Sequence, residues 1–488
     1  MRKAGILLPI FSLPNPYGIG TLGKEAYDFI DFLEKSHQTY WQVLPIGPTS
    51  YGDSPYQSFS SFAGNPYFID FDLLRDANLL KNEDYNYLRD ESSYIDYSKL
   101  YNTRFRTLHI AYNNFKNKDQ TAFINFKKNN KYWLHDYCLF MTIKDIHNGS
   151  SFLNWEKELI KRDKKAILKI ENEYHEQIEF YEFIQYIFDI QWQNLRKYAN
   201  NKNIQIIGDM PIYTAHDSSD VWAHPEIFQL NEDLVPIKVA GCPPDAFSPL
   251  GQLWGNPLYD YHKMKENNYE WWVERARIAH RLFDITRIDH FRGFEAYYTI
   301  PYKDTDATRG KWEKGPNTSL FKIIEKEVPG IKIIAENLGF LTPNVDKMLK
   351  KLGYPGMKVL EFSYGRNELS GKPFNFEKNN IIYPGTHDNP PIRQWYDELS
   401  IDDKNYLKNY LFFKEDYDCG NAVIRDALRS QCDTAIISFI DYLQKNKEAR
   451  INTPSTLGGN WIIRIVANDL NDELANYIKE LTDLYSRY

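Results

Sequence analysis

The stretch Ile285 to Gly293 reads ITRIDHFRG, an apolar run that ends in charged side chains, among them Asp289. Burying charge is costly unless the charge is paired or used. Carboxylates also end three other apolar runs: Asp209 in IQIIGDMPI, Glu336 in IKIIAENL and Asp388 in IIYPGTHD. Carboxylates around one pocket shift each other's pKa values, which allows a neutral acid and an ionised nucleophile to coexist. A pair about 5 to 5.5 Å apart would suit a retaining glycosidase.

Each of these carboxylates also has a purely structural explanation. Asp289 could form a packing ion pair with Arg287 or Arg292. Asp388 could cap the helix that follows it, and Glu336 could bond backbone groups of a loop. Because such residues end several strands at once, catalysis explains the set better than three separate structural roles.

A metal site is a further alternative, since aspartate and histidine are common ligands. Asp289 and His290 are adjacent, as are His387 and Asp388. The sequence contains no HxH or HExxH spacing around them, and such spacing is typical of histidine metal sites. We therefore expect neither a metal ion nor an organic cofactor.

Eight short apolar runs, each followed by glycine, proline or polar residues, organise the chain. Most are apolar at successive positions, a pattern typical of strands covered on both faces in a parallel sheet. The runs are GILLPI (5–10), YWQVLPI (40–46), IQIIGDMPI (204–212), ITRIDHF (285–291), IKIIAENL (331–338), MKVLEFSY (357–364), IIYPGTHD (381–388) and AIISFIDYL (435–443).

Helical patterns lie between several of these runs. After the first run, Ala26, Phe29, Ile30 and Leu33 follow the spacing of a buried helix face. After the fifth, TPNVDKMLKKLG (342–353) has a capping threonine, a proline in the first turn and a terminal glycine. This alternation predicts an α/β fold, a (β/α)8 TIM barrel. An open doubly wound sheet is the alternative.

The spacing of the runs predicts insertions in a single catalytic barrel domain that covers residues 1–488. Residues about 70–200 are rich in helical, aromatic sequence and should form an inserted helical subdomain. Residues about 214–280 form a further insertion, which contains the loop 239–261. Insertions that follow barrel strands rise from the carboxyl face, where barrel active sites lie. Little sequence follows the last run, so we expect no C-terminal β-sandwich.

The composition excludes several classes of protein. The net charge of −7, without a long charged tract, argues against a nucleic-acid partner. The four cysteines are widely spaced, and no apolar stretch approaches 18 residues, so we expect no disulfide framework, no membrane span and a cytoplasmic location. Aromatic residues make up 16%. This reflects either a compositional bias of the genome or rings that line a sugar groove.

Long motifs give the chain a resemblance to a known family. RIDHFRG, IAENLG and GTHDN resemble the core motifs of the α-amylase superfamily, in the form found in 4-alpha-glucanotransferases of the amylomaltase type, glycoside hydrolase family 77. The resemblance covers nearly the whole chain. Its other motifs are LPNPYGIGTLG (13–23), YWQVLPIGPTSYGDSPYQSFSSFAGNPYFID (40–70), GDMPIY (208–213), VAGCPPDAFSPLGQLWGNPLYDY (239–261) and NTPSTLGGNW (452–461).

The resemblance implies a role for each site residue. Asp289 matches the nucleophile, Glu336 the general acid/base and Asp388 the carboxylate that stabilises the transition state. Arg287 matches the arginine that orients the nucleophile. The other residues implied to bind substrate are Tyr56, Asp209, His387, and Asp245, Phe247 and Trp254 of the loop 239–261.

The carboxylates alone leave the acceptor open. The resemblance implies transfer of α-1,4-glucan segments to the 4-OH of another glucan or glucose, by a retaining double displacement. An α-amylase type hydrolase uses the same carboxylates, and a non-catalytic glucan-binding barrel is a third possibility. The expected partners are α-1,4-glucan donors and acceptors, with no nucleic acid and no membrane.

Overall fold

The computed structural model describes residues 2–244, 248–366 and 371–488, and the elements named below lie within these ranges. The strands are β1 (Lys3–Leu7), β2 (Tyr40–Gln42), β3 (Gln205–Met210), β4 (Lys238–Cys242), β5 (Gln252–Pro257), β6 (Ile285–Ile288), β7 (Ala296–Pro301), β8 (Lys311–Lys314), β9 (Ile333–Ala335), β10 (Gly356–Val359), β11 (Asn380–Tyr383) and β12 (Thr434–Ser438). The helices are α1 (Lys24–Lys35), α2 (Phe71–Asp76), α3 (Tyr97–Phe115), α4 (Thr121–Asn129), α5 (Leu134–Ile146), α6 (Lys157–Ile160), α7 (Lys164–Glu173), α8 (His175–Asn201), α9 (Ser219–Ala223), α10 (Tyr261–Glu266), α11 (Glu270–Leu282), α12 (Thr318–Glu327), α13 (Pro343–Leu352), α14 (Ile392–Glu398), α15 (Ile401–Leu411), α16 (Cys419–Arg429), α17 (Phe439–Tyr442) and α18 (Asp472–Leu484).

The eight predicted strands form one parallel sheet in the order β10-β11-β12-β1-β2-β3-β6-β9. The edge strands β9 and β10 approach each other, and the N–H of Ala335 donates to the carbonyl of Pro355 at 2.9 Å. The sheet is therefore a nearly closed barrel, which confirms the predicted α/β barrel and shows that the open sheet was wrong. The strands are shorter than the apolar runs, since the ends of the runs continue into the rim loops.

The helices around the barrel follow their sequence patterns. The predicted face of α1 is buried, because Ala26, Phe29, Ile30 and Leu33 have no exposed surface. Helix α13 begins after Thr342 and ends before Gly353, whose φ of +74° is the left-handed conformation that glycine adopts at helix ends. Thr342 occupies the N-cap position, but its side chain makes no capping hydrogen bond.

Helices α2 to α8 lie between β2 and β3, and the long helix α8 connects them to the barrel. Two buried glutamines of α8 pair with the backbone of the loop that follows β2. The Gln185 side chain accepts from Gly64 N at 2.7 Å and donates to Gly64 O at 2.9 Å. Gln191 pairs in the same way with Asp70, at 2.8 and 3.0 Å. This loop carries Tyr56, so α8 fixes part of the barrel rim.

A second sheet, which the sequence did not predict, lies beside the barrel. Its four antiparallel strands are ordered β5-β4-β7-β8. Strands β4 and β5 come from the predicted insertion before β6, whereas β7 and β8 come from the connection between β6 and β9. Two separate segments of the chain therefore form one sheet next to the carboxyl end of β6.

After β12 the described residues form α17, α18 and the segment between them, with no further β-strand. The last helix packs against α1 and α16. Nowhere in the described ranges is a helix both long and apolar enough to cross a membrane.

Candidate active site

The carboxyl ends of four barrel strands bring the predicted acids to one rim. Asp209 lies in β3, and Asp289 and Glu336 directly follow β6 and β9. Asp388 follows β11 by five residues. Strands β3, β6 and β9 are consecutive neighbours in the barrel, which places the first three acids side by side.

Arg287 of β6 links two of these acids. Its side chain is 3% exposed, and it donates to Asp209 at 2.5 Å and to Asp289 at 2.9 Å. Asp209 and Arg287 face each other in the β3–β6 register. The Asp209 side chain is fully buried, whereas that of Asp289 remains 27% exposed at the rim. The ion pair expected of a structural Asp289 therefore exists, but it leaves the carboxylate accessible.

Glu336 is held beside Asp289 through backbone groups. Its carboxylate accepts from His290 N at 2.8 Å and from Leu338 N at 2.6 Å. His290 has φ of +46°, a left-handed conformation that is uncommon outside glycine and often marks functional sites. The residue directly after Asp289 thus adopts a strained backbone conformation in which its N–H binds Glu336.

Tyr56, His387 and Asp209 form a second group at the rim. The Tyr56 hydroxyl lies 2.7 Å from Asp209 Oδ2 and 2.8 Å from His387 Nε2. Since the carboxylate can only accept, the hydroxyl donates to Asp209 and His387 Nε2–H donates to the hydroxyl. The Tyr56 and His387 rings are stacked, with centroids 5.2 Å apart and planes 9° apart.

Asp388 is bound by residues that the sequence did not indicate. Asn452 Nδ2 donates to its carboxylate at 2.6 Å, and Arg450 donates to its carbonyl at 3.1 Å. His387 Nε2 lies 3.3 Å from the same carboxylate. Helix α14 begins only at Ile392, whose N–H donates to Asp441. Asp388 is therefore not the cap of that helix.

The charges of the pocket shift the pKa values of its acids. Burial raises the pKa of both Asp289 and Glu336 above their ordinary values, while the Arg287 guanidinium opposes this rise in both. The charge of Asp388 adds to the rise in each case. Burial also lowers the pKa of His387, which keeps the imidazole neutral.

Trp254 of β5 reaches the site from the second sheet. Its ring meets the His290 ring edge-on, with centroids 4.8 Å apart and planes at 87°. Its indole N–H donates to Gln252 at 3.0 Å. Burial, followed by the charge of Arg292, lowers the pKa of His290 to about 3, so this imidazole is neutral. Trp254, which the resemblance implies to bind substrate, thus packs against the residue that follows Asp289.

Comparison with known proteins identifies the family of the chain. The family model described as 4-alpha-glucanotransferase matches residues 8–468. A 4-alpha-glucanotransferase of Clostridium butyricum is 48% identical over 98% of this chain and 99% of the relative. One of Aquifex aeolicus is 41% identical over the full length of both. The chain belongs to the 4-alpha-glucanotransferase family.

A solved structure agrees with this assignment. The amylomaltase from Streptococcus agalactiae in complex with acarbose is 38% identical, has a TM-score of 0.97 and covers all of both chains. The fold and the transferase activity implied by the sequence motifs are confirmed. The chain is thus a 4-alpha-glucanotransferase of glycoside hydrolase family 77.

The structure of the glucanotransferase brings together eight of the ten predicted site residues. Asp245 and Phe247 lie outside the described residues, so their contribution stays a prediction. The sequence did not predict the contacts of Asn452 and Arg450, although Asn452 is the first residue of the family-like motif NTPSTLGGNW. Their contact with Asp388 spans more than sixty positions of the chain, and no local pattern signals it.

Proposed function

We propose that this 4-alpha-glucanotransferase transfers α-1,4-glucan segments with Asp289 as nucleophile and Glu336 as general acid and base. The hydrogen bond of 2.8 Å from His290 N to Glu336 carries the proposal, because it joins the second carboxyl to the residue next to Asp289. Retaining enzymes need two carboxyls flanking one glycosidic bond. The neighbouring ends of β6 and β9 supply them.

The contacts of the two carboxyls indicate which one holds a proton. Both have raised pKa values and influence one another, so they titrate as a pair. Asp289 forms a direct ion pair with Arg287, which favours its ionised form. Among the described residues, the hydrogen-bond partners of Glu336 are the neutral backbone N–H groups of His290 and Leu338. With one proton between them, the proton belongs on Glu336.

The first step cleaves the donor glucan. The ionised Asp289 attacks the anomeric carbon, and a carbon–oxygen bond forms between the enzyme and the sugar. Glu336 transfers its proton to the glycosidic oxygen as the bond from that oxygen to the anomeric carbon breaks. The reducing-end fragment leaves with a free 4-OH, and a β-linked glucosyl-enzyme remains.

The second step reverses these roles. The 4-OH of another glucan or of glucose attacks the anomeric carbon, and the ionised Glu336 takes its proton. The bond to Asp289 breaks, so the nucleophile returns to its carboxylate form. Two inversions at one carbon give an α-1,4 product. Water at the same position would give hydrolysis, hence the yield depends on how well the site binds an acceptor.

The remaining rim residues hold the reacting glucose. We assign Asp388 to binding sugar hydroxyls and stabilising the transition state, because its carboxylate is 44% exposed and fixed by Asn452. Tyr56 offers an aromatic ring beside it, stacked on the neutral His387. Asp209 is enclosed, so we assign it an indirect role through its bonds to Tyr56 and Arg287.

We also propose that the enzyme acts on α-1,4-glucans in the cytoplasm. The donor and acceptor class follows from the transferase family and from a rim that combines carboxylates with aromatic rings. The widely spaced cysteines are typical of proteins in a reducing compartment. Asp245 and Phe247 of the loop 239–261 are proposed to contact the substrate as well.

Trapping the covalent intermediate tests the assignment of Asp289 and Glu336. α-Maltosyl fluoride releases fluoride without help from an acid, so Glu336→Gln should still form the glycosyl-enzyme. Without a base the acceptor reacts slowly, and the adduct should accumulate on Asp289. We expect mass spectrometry of peptides to find maltosyl on Asp289 in this variant and no adduct in Asp289→Asn.

The activity itself is tested with maltotriose as the only substrate. We expect the wild-type enzyme to release glucose and longer maltooligosaccharides, while both variants lose turnover by about three orders of magnitude or more. An adduct on another residue, or near-normal turnover of either variant, would contradict the assigned roles. Glucose and maltose without longer products would indicate a hydrolase.

A further inference from the structure

Arg292, the second arginine of ITRIDHFRG, has no part in the mechanism above, yet it is buried. Its side chain is 3% exposed, and its guanidinium carbon lies 3.6 Å from the centroid of the Trp312 ring. It also donates to the carbonyl of Phe340 at 2.8 Å. Arg292 follows Asp289 in the same segment. It therefore connects this segment to β8 of the second sheet and to the loop after β9.

Trp312 and Phe340 form an aromatic pair, which we call the rim pair. Their centroids are 6.3 Å apart and their planes are 21° apart, so the two rings present nearly parallel faces. Trp312 is 37% exposed and Phe340 is 62% exposed. The cation supports one side of the tryptophan, and the exposed phenylalanine beside it extends an apolar surface that a ligand can cover.

The position of the rim pair indicates the acceptor side of the site. Phe340 comes four residues after Glu336 in the loop after β9, and Leu338 of the same loop donates to the Glu336 carboxylate. Glu336 protonates the leaving oxygen and later deprotonates the acceptor hydroxyl. Residues that directly follow it therefore lie toward the sugar that leaves or enters. In the proposed function, Tyr56, His387 and Asp388 hold the glucose on the other side of the bond.

We propose that the rim pair is an acceptor-side glucan subsite, in which a glucose ring beyond the reacting 4-OH stacks on Phe340 and Trp312. The apolar face of a pyranose suits a flat aromatic surface. The occupant is the acceptor maltooligosaccharide, because the pair is continuous with the loop of the acid/base. This inference rests on the proposed function and adds a determinant of acceptor length to it.

Arg292 is then a positioning residue for this subsite. It places Trp312 by contact with the ring and places Phe340 by a backbone hydrogen bond. It lies three residues after Asp289, so the same short segment supplies the nucleophile and the support of the subsite. A stacked arginine has no equivalent in lysine, since a guanidinium is planar and weakly hydrated.

The test compares acceptors of different length with one donor. α-Maltosyl fluoride supplies the glycosyl group, and kcat/KM is measured for glucose and for maltotetraose as acceptors. We expect Phe340→Ala to lower the ratio of the maltotetraose value to the glucose value by about tenfold, the loss of one aromatic–sugar contact. Phe340→Tyr should restore the ratio, because it keeps the ring.

Phe374→Ala is the matched control. Phe374 is 63% exposed but lies in the segment before β11, at the amino end of the barrel. The ratio of the maltotetraose value to the glucose value in Phe374→Ala should equal that of the wild type. A wild-type ratio in Phe340→Ala, an equal loss with both acceptors, or a similar fall in Phe374→Ala would overturn the subsite. A wild-type enzyme that makes no transfer product would overturn the proposed function together with this inference, so the two failures are distinguishable.

Discussion

Arg287 is the residue whose loss would disturb the pocket most directly. It donates to Asp209 and Asp289 at the same time, and the side chains of Arg287 and Asp209 are buried while that of Asp289 is 27% exposed. The planar guanidinium presents its N–H groups in a fixed fork, which lets one side chain orient two carboxylates. The orientation of the nucleophile and that of the Tyr56 hydroxyl therefore depend on one cation.

Arg287→Lys should keep the charge but lose this fork. A lysine ammonium can satisfy one carboxylate at a time, so Asp289 or Asp209 should shift in the variant. We expect kcat with maltotriose to fall about 100-fold, the scale of a 1 Å misplacement in an active site. Arg277→Lys, in the exposed pair with Glu274 on α11, is the control. A kcat within a few-fold of the wild type would show that the charge suffices.

The raised pKa of Glu336 predicts a pH dependence that changes with the donor. With maltotriose, kcat/KM should fall as pH rises through this pKa, because the protonated acid is lost. The alkaline limb of this profile should lie above the ordinary glutamate value of about 4.3, since burial raises the pKa of Glu336. With α-maltosyl fluoride no acid is needed, so the alkaline limb should be absent. Identical alkaline limbs with both donors would contradict the role of Glu336 as acid.

At the scale of elements, helix α8 determines the conformation of the loop that follows β2. Gln185 and Gln191 each bond both backbone groups of one loop residue, as a neighbouring strand would. Gly64 also approaches α8 so closely that a Cβ there would lie 2.1 Å from the Phe188 ring. The inserted helices therefore support the rim from behind. That residues 70–200 form a distinct subdomain stays a prediction.

Gln191→Ala should destabilise the enzyme, because it leaves the buried N–H and C=O of Asp70 without these partners. We expect a loss of about 2 to 6 kcal/mol in the free energy of unfolding, from two buried groups at about 1 to 3 kcal/mol each. Urea unfolding followed by tryptophan fluorescence measures it. Asn194→Ala, on the exposed side of α8, is the control. Equal midpoints of urea unfolding for Gln191→Ala and Asn194→Ala would contradict the stabilising role of Gln191.

On the scale of the whole molecule, residues from both ends of the sequence meet at β1. Arg487 has no exposed surface, and its guanidinium donates to the carbonyls of Lys3 at 3.1 Å, Ser430 at 2.9 Å and Leu428 at 2.5 Å. The N–H of Ala4 donates to the carbonyl of Arg487 at 3.1 Å. Strands β12 and β1 are neighbours in the barrel. Arg487 therefore stabilises the junction between these two strands, on which closure of the barrel depends.

Arg487→Met should weaken this junction while filling nearly the same space. Three buried carbonyls lose a charged donor, and we expect the free energy of unfolding to fall by about 3 to 5 kcal/mol. Arg89→Met is the control, since Arg89 is 61% exposed and its partner Glu91 is 79% exposed. Differential scanning calorimetry compares the two variants. A melting temperature of Arg487→Met equal to that of the control would refute the assigned role.

The barrel and its acids were predictable because their signals are local. Apolar runs of strand length, separated by helix-like spacing, marked all eight barrel strands, and the acids stand at the ends of those runs. Helix α13 was equally predictable from the sequence, since its proline and the glycine that follows the helix have fixed backbone preferences. Thr342 occupies the N-cap position without making the capping hydrogen bond. A local pattern therefore predicts the position of a cap residue but not its interaction.

The sequence by itself determined the fold class, the order of the strands along the chain and the identity of the rim carboxylates. Only the tertiary structure decided that Arg287 joins Asp209 to Asp289, that His290 N holds Glu336, and that two separate segments form one second sheet. The physical reason is that local patterns arise from the short-range geometry of helices and strands. Hydrogen bonds between groups dozens of residues apart exist only once the barrel has brought its strand ends together.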